Sequence, residues 1–100
     1  MFELNPNLAV YLYRDHIDFR KNINGLAALV EHDLALDPFA DALYVFGNRR
    51  RDRVKILGWS RNGFWLLQKR LESERFIWPR DNQRVMELTC LLYTSPSPRD

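Results

Sequence analysis

The sequence feature that most constrains the fold is a change in the spacing of apolar residues near Asp37 and Pro38. Before this point, apolar residues from Phe19 to Leu34 recur every three or four positions, which predicts one amphipathic helix. After it, short apolar runs alternate with turn residues, a pattern typical of strands. A helix followed by a group of strands indicates an α+β domain.

The remaining elements follow from local signals. A strand is expected over residues 8–13, before the helix, whose N-terminus Asp18 is predicted to cap. Asn62 and Gly63 predict a type I′ hairpin turn, and Asp81 is expected to cap a second helix. Further strands are predicted over residues 43–46, 53–59, 64–69 and 75–78. The expected fold class is therefore α+β, a small antiparallel β-meander of four to five strands with one main helix packed on it.

Length and composition limit the possible protein classes. One hundred residues, 46% of them hydrophobic, suit one small domain with a modest core. The longest apolar run, residues 8–13, is far shorter than a membrane span, and Met1 is followed by no secretory signal. The single cysteine, Cys90, excludes an internal disulfide. We therefore expect a cytoplasmic protein that does not contact a membrane.

The end of the sequence breaks the pattern of the rest. Residues 90–100 contain two prolines within three positions and no periodic apolar face. Translated back into codons, this stretch resembles a sequencing-library adapter. We therefore predict a single domain over residues 1–89, truncated at its C-terminus near Thr89, followed by a non-native tail over 90–100.

Charge is distributed unevenly along the chain. Residues 1–48 hold three basic and seven acidic side chains, whereas residues 49–84 hold eleven basic and four acidic ones. Twelve of the fifteen basic residues are arginine, whose planar guanidinium group suits bidentate contacts with phosphate or carboxylate. The basic half therefore indicates a polyanionic or acidic partner, although a solvated charged face is the commoner explanation of such runs.

No residue constellation typical of an enzyme is present. The acidic residues occur in separate pairs, and His16 and His32 stand singly, so neither a two-metal centre nor another metal site is predicted. The four glycines are scattered and form no phosphate-binding loop. We expect no catalytic activity and no cofactor.

The basic half carries the candidate binding site. Aromatic residues, including Trp59, Trp65 and Trp78, are interleaved with its cations, so a sheet could grip phosphates and stack unpaired bases. In a domain of this size, however, burial in the core is the commoner role of such rings. The candidate residues are all cationic and lie in or beside one predicted hairpin: Arg49, Arg50, Arg51, Arg53, Lys55, Arg61, Lys69 and Arg70.

Several segments resemble one known family. They include residues 10–13, 18–21, 25–30, 37–39, 44–57 and 69–72, together with Trp59, Gly63-Phe64, Phe76 and Trp78-Pro79. In order and spacing, from about residue 8 to 88, these are similar to the TnpB, or Orf2-like, accessory protein of the IS-sixty-six group of bacterial insertion sequences. Arg51 departs from the family pattern, which usually has a small residue there.

The resemblance implies an accessory role in transposition beside a separate transposase, and it supplies no catalytic or ligand residues. With the basic half, it leads us to expect a non-enzymatic factor that binds element DNA through an arginine-rich hairpin. The alternative is an adaptor that docks the transposase or another accessory protein of the element through the same basic face. A nuclease is a third possibility, to which loss of metal-dependent cleavage in Asp18→Ala would point.

Overall fold

The computed structural model describes residues 8–78 as one four-stranded sheet with one helix. The elements in chain order are β1 Ala9–His16, α1 Ile23–His32, β2 Ala42–Gly47, β3 Arg53–Ser60 and β4 Gly63–Arg70. The predicted α+β class is confirmed, and the strands lie side by side in the order β1-β2-β3-β4. The sheet is mixed rather than wholly antiparallel, because α1 returns the chain across the sheet and β1 therefore runs parallel to β2.

The sheet is covered on both faces. On one face, Leu26 and Val30 of α1 pack against Tyr44, Phe46 and Leu57, and all five side chains are buried. On the other face, buried side chains from the three strands β1, β2 and β3 meet Phe76, which is only 4% exposed. A strand buried on both faces has no polar alternation, which is why β2 is apolar from Ala42 to Phe46.

The helix begins later than the sequence predicts. Its N-cap is Asn22, whose Oδ1 accepts a hydrogen bond from the backbone N–H of Gly25 at 3.2 Å. Asp18 is therefore not the N-cap. Its carboxylate accepts hydrogen bonds from the backbone N–H and the guanidinium of Arg20, and these bonds lie in a turn before the helix. α1 ends at His32, where the chain turns away through Ala35 at a φ of 55°.

The hairpin turn lies one residue earlier than predicted. Ser60 pairs with Gly63, so the turn residues are Arg61 and Asn62. Only Arg61 has a positive φ, of 54°, whereas a type I′ turn needs positive φ at both central residues, so that prediction is wrong. The ladder places Trp59 opposite Phe64, and a slip of one residue would move every side chain of β4 to the wrong face.

Residues 75–78 do not form the predicted last strand. This segment crosses the turn between β2 and β3, where the backbone N–H of Phe76 donates to the carbonyl of Arg51 at 2.7 Å. It joins the domain through the buried side chain of Phe76 and a few separate hydrogen bonds rather than through a ladder. The second helix expected from Asp81 lies outside the described residues. Within residues 8–78, α1 is too short to cross a membrane.

Candidate nucleic-acid interface

The turn between β2 and β3, residues 48–52, is organised by one side chain. Asn48 Oδ1 accepts hydrogen bonds from the backbone N–H groups of Asp52 and Arg53, at 3.1 and 3.0 Å. Asn48 Nδ2 donates to Asp52 Oδ1 at 2.7 Å. An asparagine that binds the backbone four and five residues ahead fixes the loop without help from a sheet ladder. We call residues 48–52 the arginine turn.

Arg49 and Arg50 of this turn are exposed to solvent, and so is Arg53, the first residue of β3. Ion pairs within residues 8–78 include Arg14–Asp15, Arg20–Asp18 and Arg70–Glu72, and Arg49, Arg50 and Arg53 take part in none of them. The nearest carboxylate, Asp52, is held by Asn48, and this hydrogen bond lowers its pKa, with smaller contributions from Arg50 and Arg53. The exposed guanidinium groups therefore form no ion pair in the described part of the chain, although the charge of Asp52 lies near Arg50 and Arg53.

Arg51 occupies a different position from its neighbours. Its guanidinium lies over the Trp78 ring, 4.7 Å from the centroid, and its Nη2 donates to the carbonyl of Arg14 at 3.2 Å. Burial lowers the pKa of Arg51, and its Nη1 has no hydrogen-bond partner. A Cβ at Gly47 would come within 2.7 Å of that nitrogen and 3.1 Å of the Trp78 ring, so the Arg51 guanidinium would have to shift. Arg51 therefore has a structural role in the arginine turn rather than an exposed position on it.

Lys55 is not part of the exposed basic surface. It is only 7% exposed, on the helix side of the sheet, and burial lowers its pKa. Its Nζ donates to the carbonyls of Phe19 and Lys21, at 2.7 and 2.9 Å, and lies 4.8 Å from the centre of the Phe19 ring. Lys55 therefore fastens the loop before α1 to the sheet.

The other predicted residues divide between the two ends of the sheet. Arg70 lies directly opposite Arg53 in the β3–β4 ladder, so two cations are cross-strand neighbours, and Lys69 precedes it, half-buried. Arg61 lies at the far end of the same hairpin, about 25 Å away for strands of this length. The structure thus brings Arg70 to the arginine turn and separates Arg61 from it.

One arginine that was not predicted completes this surface. Arg75 is exposed, and its Nε donates to the carbonyl of Arg50 at 2.8 Å. The sequence signals only that residues 49–84 are basic, since the contact depends on the path of the chain after β4. We call the resulting surface the basic end, and it consists of Arg49, Arg50, Arg53, Arg70 and Arg75.

The three tryptophans do not form a stacking platform beside the basic end. Each is half-buried. Trp59 lies at the far end with Phe39 and Phe64, at centroid distances of 4.9 and 5.0 Å, and we call this cluster with Arg61 the aromatic end. Trp65 packs against Gly58 on the face opposite α1. Trp78 carries Arg51, and its Nε1 donates to the Tyr13 carbonyl at 3.3 Å.

The chemistry available at the basic end is recognition of anions. Throughout residues 8–78, no three His, Cys, Asp or Glu side chains come close enough together to hold a metal ion. Fold and surface together define a small α+β domain with a preformed arginine cluster at one end of its sheet.

The chain belongs to the family described as IS66 Orf2 like protein, which matches residues 8–93. Membership in this family makes it an accessory protein associated with transposition of this group of insertion sequences. The boundary near Thr89 between domain and tail stays a prediction.

Two relatives come from Sinorhizobium fredii (strain NBRC 101917 / NGR234). The uncharacterised protein y4jC is 39% identical over 72 residues, which are 72% of this chain and 62% of the relative. The uncharacterised protein y4hO is 33% identical over 79 residues, which are 79% of this chain and 69% of the relative. The chain thus spans less than two thirds of y4jC. No solved structure matches it.

Proposed function

We propose that this accessory protein binds duplex DNA of its insertion sequence through the basic end, without catalysing a reaction. The observation that carries the proposal is the set of exposed guanidinium groups of Arg49, Arg50 and Arg53, which form no ion pair within residues 8–78. Neighbouring cations repel one another, and a polyanion at the basic end relieves that repulsion and releases its own counterions.

The arrangement favours contacts with phosphates over contacts with bases. The backbone of the arginine turn is fixed by Asn48, so the points from which its exposed side chains leave the fold are set before binding. The Trp78 ring, which lies beside this turn, is already in contact with the guanidinium of Arg51. Single-stranded nucleic acid is normally held by stacking on exposed rings, whereas duplex phosphates need only positioned cations. We therefore favour a duplex backbone and little dependence on sequence.

The test compares the two ends of the sheet. Arg49, Arg50 and Arg53 are replaced together by alanine, and Arg61→Ala, an exposed arginine at the aromatic end, is the matched control. Binding to a fluorescent duplex is measured by anisotropy over a range of salt concentrations. Each lost phosphate contact reduces the log–log salt slope by about 0.9, so the triple variant should lose about 2.7 and the control almost nothing.

Two outcomes would overturn the proposal: no salt-sensitive binding of duplex DNA by the unchanged protein, or equal slopes for the triple variant and Arg61→Ala. The second candidate function, docking the transposase or another accessory protein, is favoured by the fit between guanidinium and carboxylate groups. It predicts a protein partner that co-purifies after nuclease treatment and is lost in the triple variant.

A further inference from the structure

The outer edge of β4 is long and regular. β4 pairs with β3 without interruption from Arg53 opposite Arg70 to Ser60 opposite Gly63. No strand within residues 8–78 pairs with its other side. A strand edge of this kind presents a row of backbone N–H and C=O groups to any strand that fits it.

The hairpin turn identifies which backbone groups point outward. Ser60 and Gly63 flank a two-residue turn, so they exchange hydrogen bonds with each other. Alternation along the strand then directs the N–H and C=O groups of Phe64, Leu66 and Gln68 away from β3. Consistent with this alternation, the N–H of Leu71 points inward and donates to the carbonyl of Asp52 at 2.8 Å.

The other edge strand of the sheet, β1, has irregular pairing that hinders association with a further strand and that β4 lacks. The pairing of β1 shifts register between Leu12 and His16, and the charged residues Arg14 and Asp15 are exposed there. Irregular pairing and charge are common means of preventing edge-to-edge association. β4 has no register shift and no proline, it is apolar from Phe64 to Leu67, and its charged residues, Lys69 and Arg70, lie only at its C-terminal end.

We propose that the outer edge of β4 pairs antiparallel with β4 of a second copy of this chain. Antiparallel pairing places the basic end of each copy beside the aromatic end of the other, where the exposed Asp37 and Asp41 flank Phe39 and, within residues 8–78, outnumber the one exposed cation, Arg61. Parallel pairing would instead bring Arg70 against Arg70. The charges of the two ends are therefore complementary only in the antiparallel arrangement.

A two-fold axis at Leu67 aligns the outward-facing groups of both strands. Leu66 then lies opposite Gln68 of the other copy, and Arg70 lies opposite Phe64, a cation beside an aromatic ring. The result is a closed dimer with one continuous eight-stranded sheet and no further open β4 edge. This association does not require DNA, so it stands or falls separately from the proposed function.

The first experiment uses proline at an outward-facing position. Gln68→Pro removes a backbone N–H that points away from β3, and Gln68→Ala is the control that changes only the exposed side chain. Sedimentation equilibrium without DNA should show concentration-dependent dimers for the unchanged chain and Gln68→Ala. The proline should raise the dimer dissociation constant about tenfold or more, because two symmetric hydrogen bonds are lost. A chain that stays monomeric at every concentration contradicts the proposal.

The second experiment needs no variant and so does not depend on how the proline chain folds. Amide hydrogen exchange is followed by NMR at low and high protein concentration. The amides of Leu66 and Gln68 should gain protection only at high concentration, whereas that of Leu67, which points toward β3, should be protected at both. Protection of Leu66 and Gln68 that is independent of concentration, or a dimer that leaves them unprotected, overturns the proposal.

Discussion

The two turns at opposite ends of the sheet each contain an arginine in the left-handed region. Arg51 has a φ of 60° and Arg61 a φ of 54°. At Arg51 the guanidinium lies on the Trp78 ring and donates to the Arg14 carbonyl. The side chain of Arg61 is exposed and makes no hydrogen bond or ion pair within residues 8–78.

The difference teaches that equal backbone strain can be compensated in one turn and not in the other. A left-handed conformation costs a residue with a side chain about 1 to 2 kcal/mol. The contacts of Arg51 offset that cost, and they also place Arg49 and Arg50 outside the fold. Arg61 lacks such contacts, so its backbone strain remains. Four predictions test or refine this comparison.

The largest effect is expected in the hairpin that separates the two turns. A methyl group at Gly58 would overlap the Trp65 ring, so Gly58→Ala should lower the free energy of unfolding by about 3 kcal/mol. At Gly63 an added methyl group meets nothing within 4 Å, so the control Gly63→Ala should change it by less than about 0.5 kcal/mol. Urea unfolding measures both. Equal effects would show that Trp65 does not restrict Gly58.

The next largest effect is expected at Lys55, which holds the loop before α1 against the sheet. Lys55→Met leaves the carbonyls of Phe19 and Lys21 without their donor, so we expect a loss of about 2 kcal/mol of stability. Lys21→Met, at an exposed position, is the control and should be nearly neutral. Under conditions where Lys55→Met remains folded, its salt slope for DNA should equal that of the unchanged chain. A reduced salt slope would show that Lys55 does contribute to DNA binding.

The direct test of the comparison is glycine at each left-handed arginine. Arg61→Gly relieves strain and removes no contact made within the described residues, so thermal unfolding should show stabilisation of about 0.5 kcal/mol. Arg51→Gly relieves similar strain but loses the contacts with Trp78 and Arg14, so it should destabilise by about 1 kcal/mol. The same sign for both variants would refute the contrast drawn between the turns.

The last effect depends on pH and involves Tyr13, whose carbonyl accepts a hydrogen bond from Trp78 and whose hydroxyl donates to Asp33 Oδ2 at 2.7 Å. Burial, and then the hydrogen bond to Asp33, raise the pKa of Tyr13 from 10.0 to about 12. Because the pKa is raised, the folded state favours the protonated hydroxyl of Tyr13. The contribution of this group to stability is therefore complete below pH 10 and decreases as pH rises toward 12. Tyr13→Phe should therefore cost about 1 kcal/mol at neutral pH, and its difference from the unchanged chain should shrink above pH 10. A constant difference would exclude the hydrogen bond as its source.

Apolar spacing was sufficient to predict α1 and the four strands of the sheet but not their ends, and it wrongly predicted a further strand over residues 75–78. Leu26 and Val30 face the sheet as predicted, because burial enforces the period of a helix. Asp18 was wrong as the cap, since Asp18 and Asn22 are both good capping residues and only the local contact of Asp18 with Arg20 decides between them. The hairpin turn was misplaced because packing of Trp59 on Phe64 sets the register.

The candidate site was less predictable than the fold. The sequence shows how many arginines are clustered, but it does not show which of them make contacts within the fold and which stay exposed. Arg51 and Lys55 are turned inward by partners more than thirty positions away in the chain, the carbonyls of Arg14 and Phe19. Arg75 reaches the basic end because the segment after β4 crosses the arginine turn. Contacts at such separation leave no periodic trace in a single sequence.

The parallel pairing of β1 has a consequence for the order of folding. Ala9 of β1 pairs with Ala42, so β1 gains its neighbour only after α1 and the following loop have formed a crossover. The hairpin of β3 and β4 needs only a two-residue turn, and local contacts form faster than distant ones. Among the described strands, β1 therefore emerges from the ribosome before the others but stays unpaired until the chain has emerged as far as Gly47.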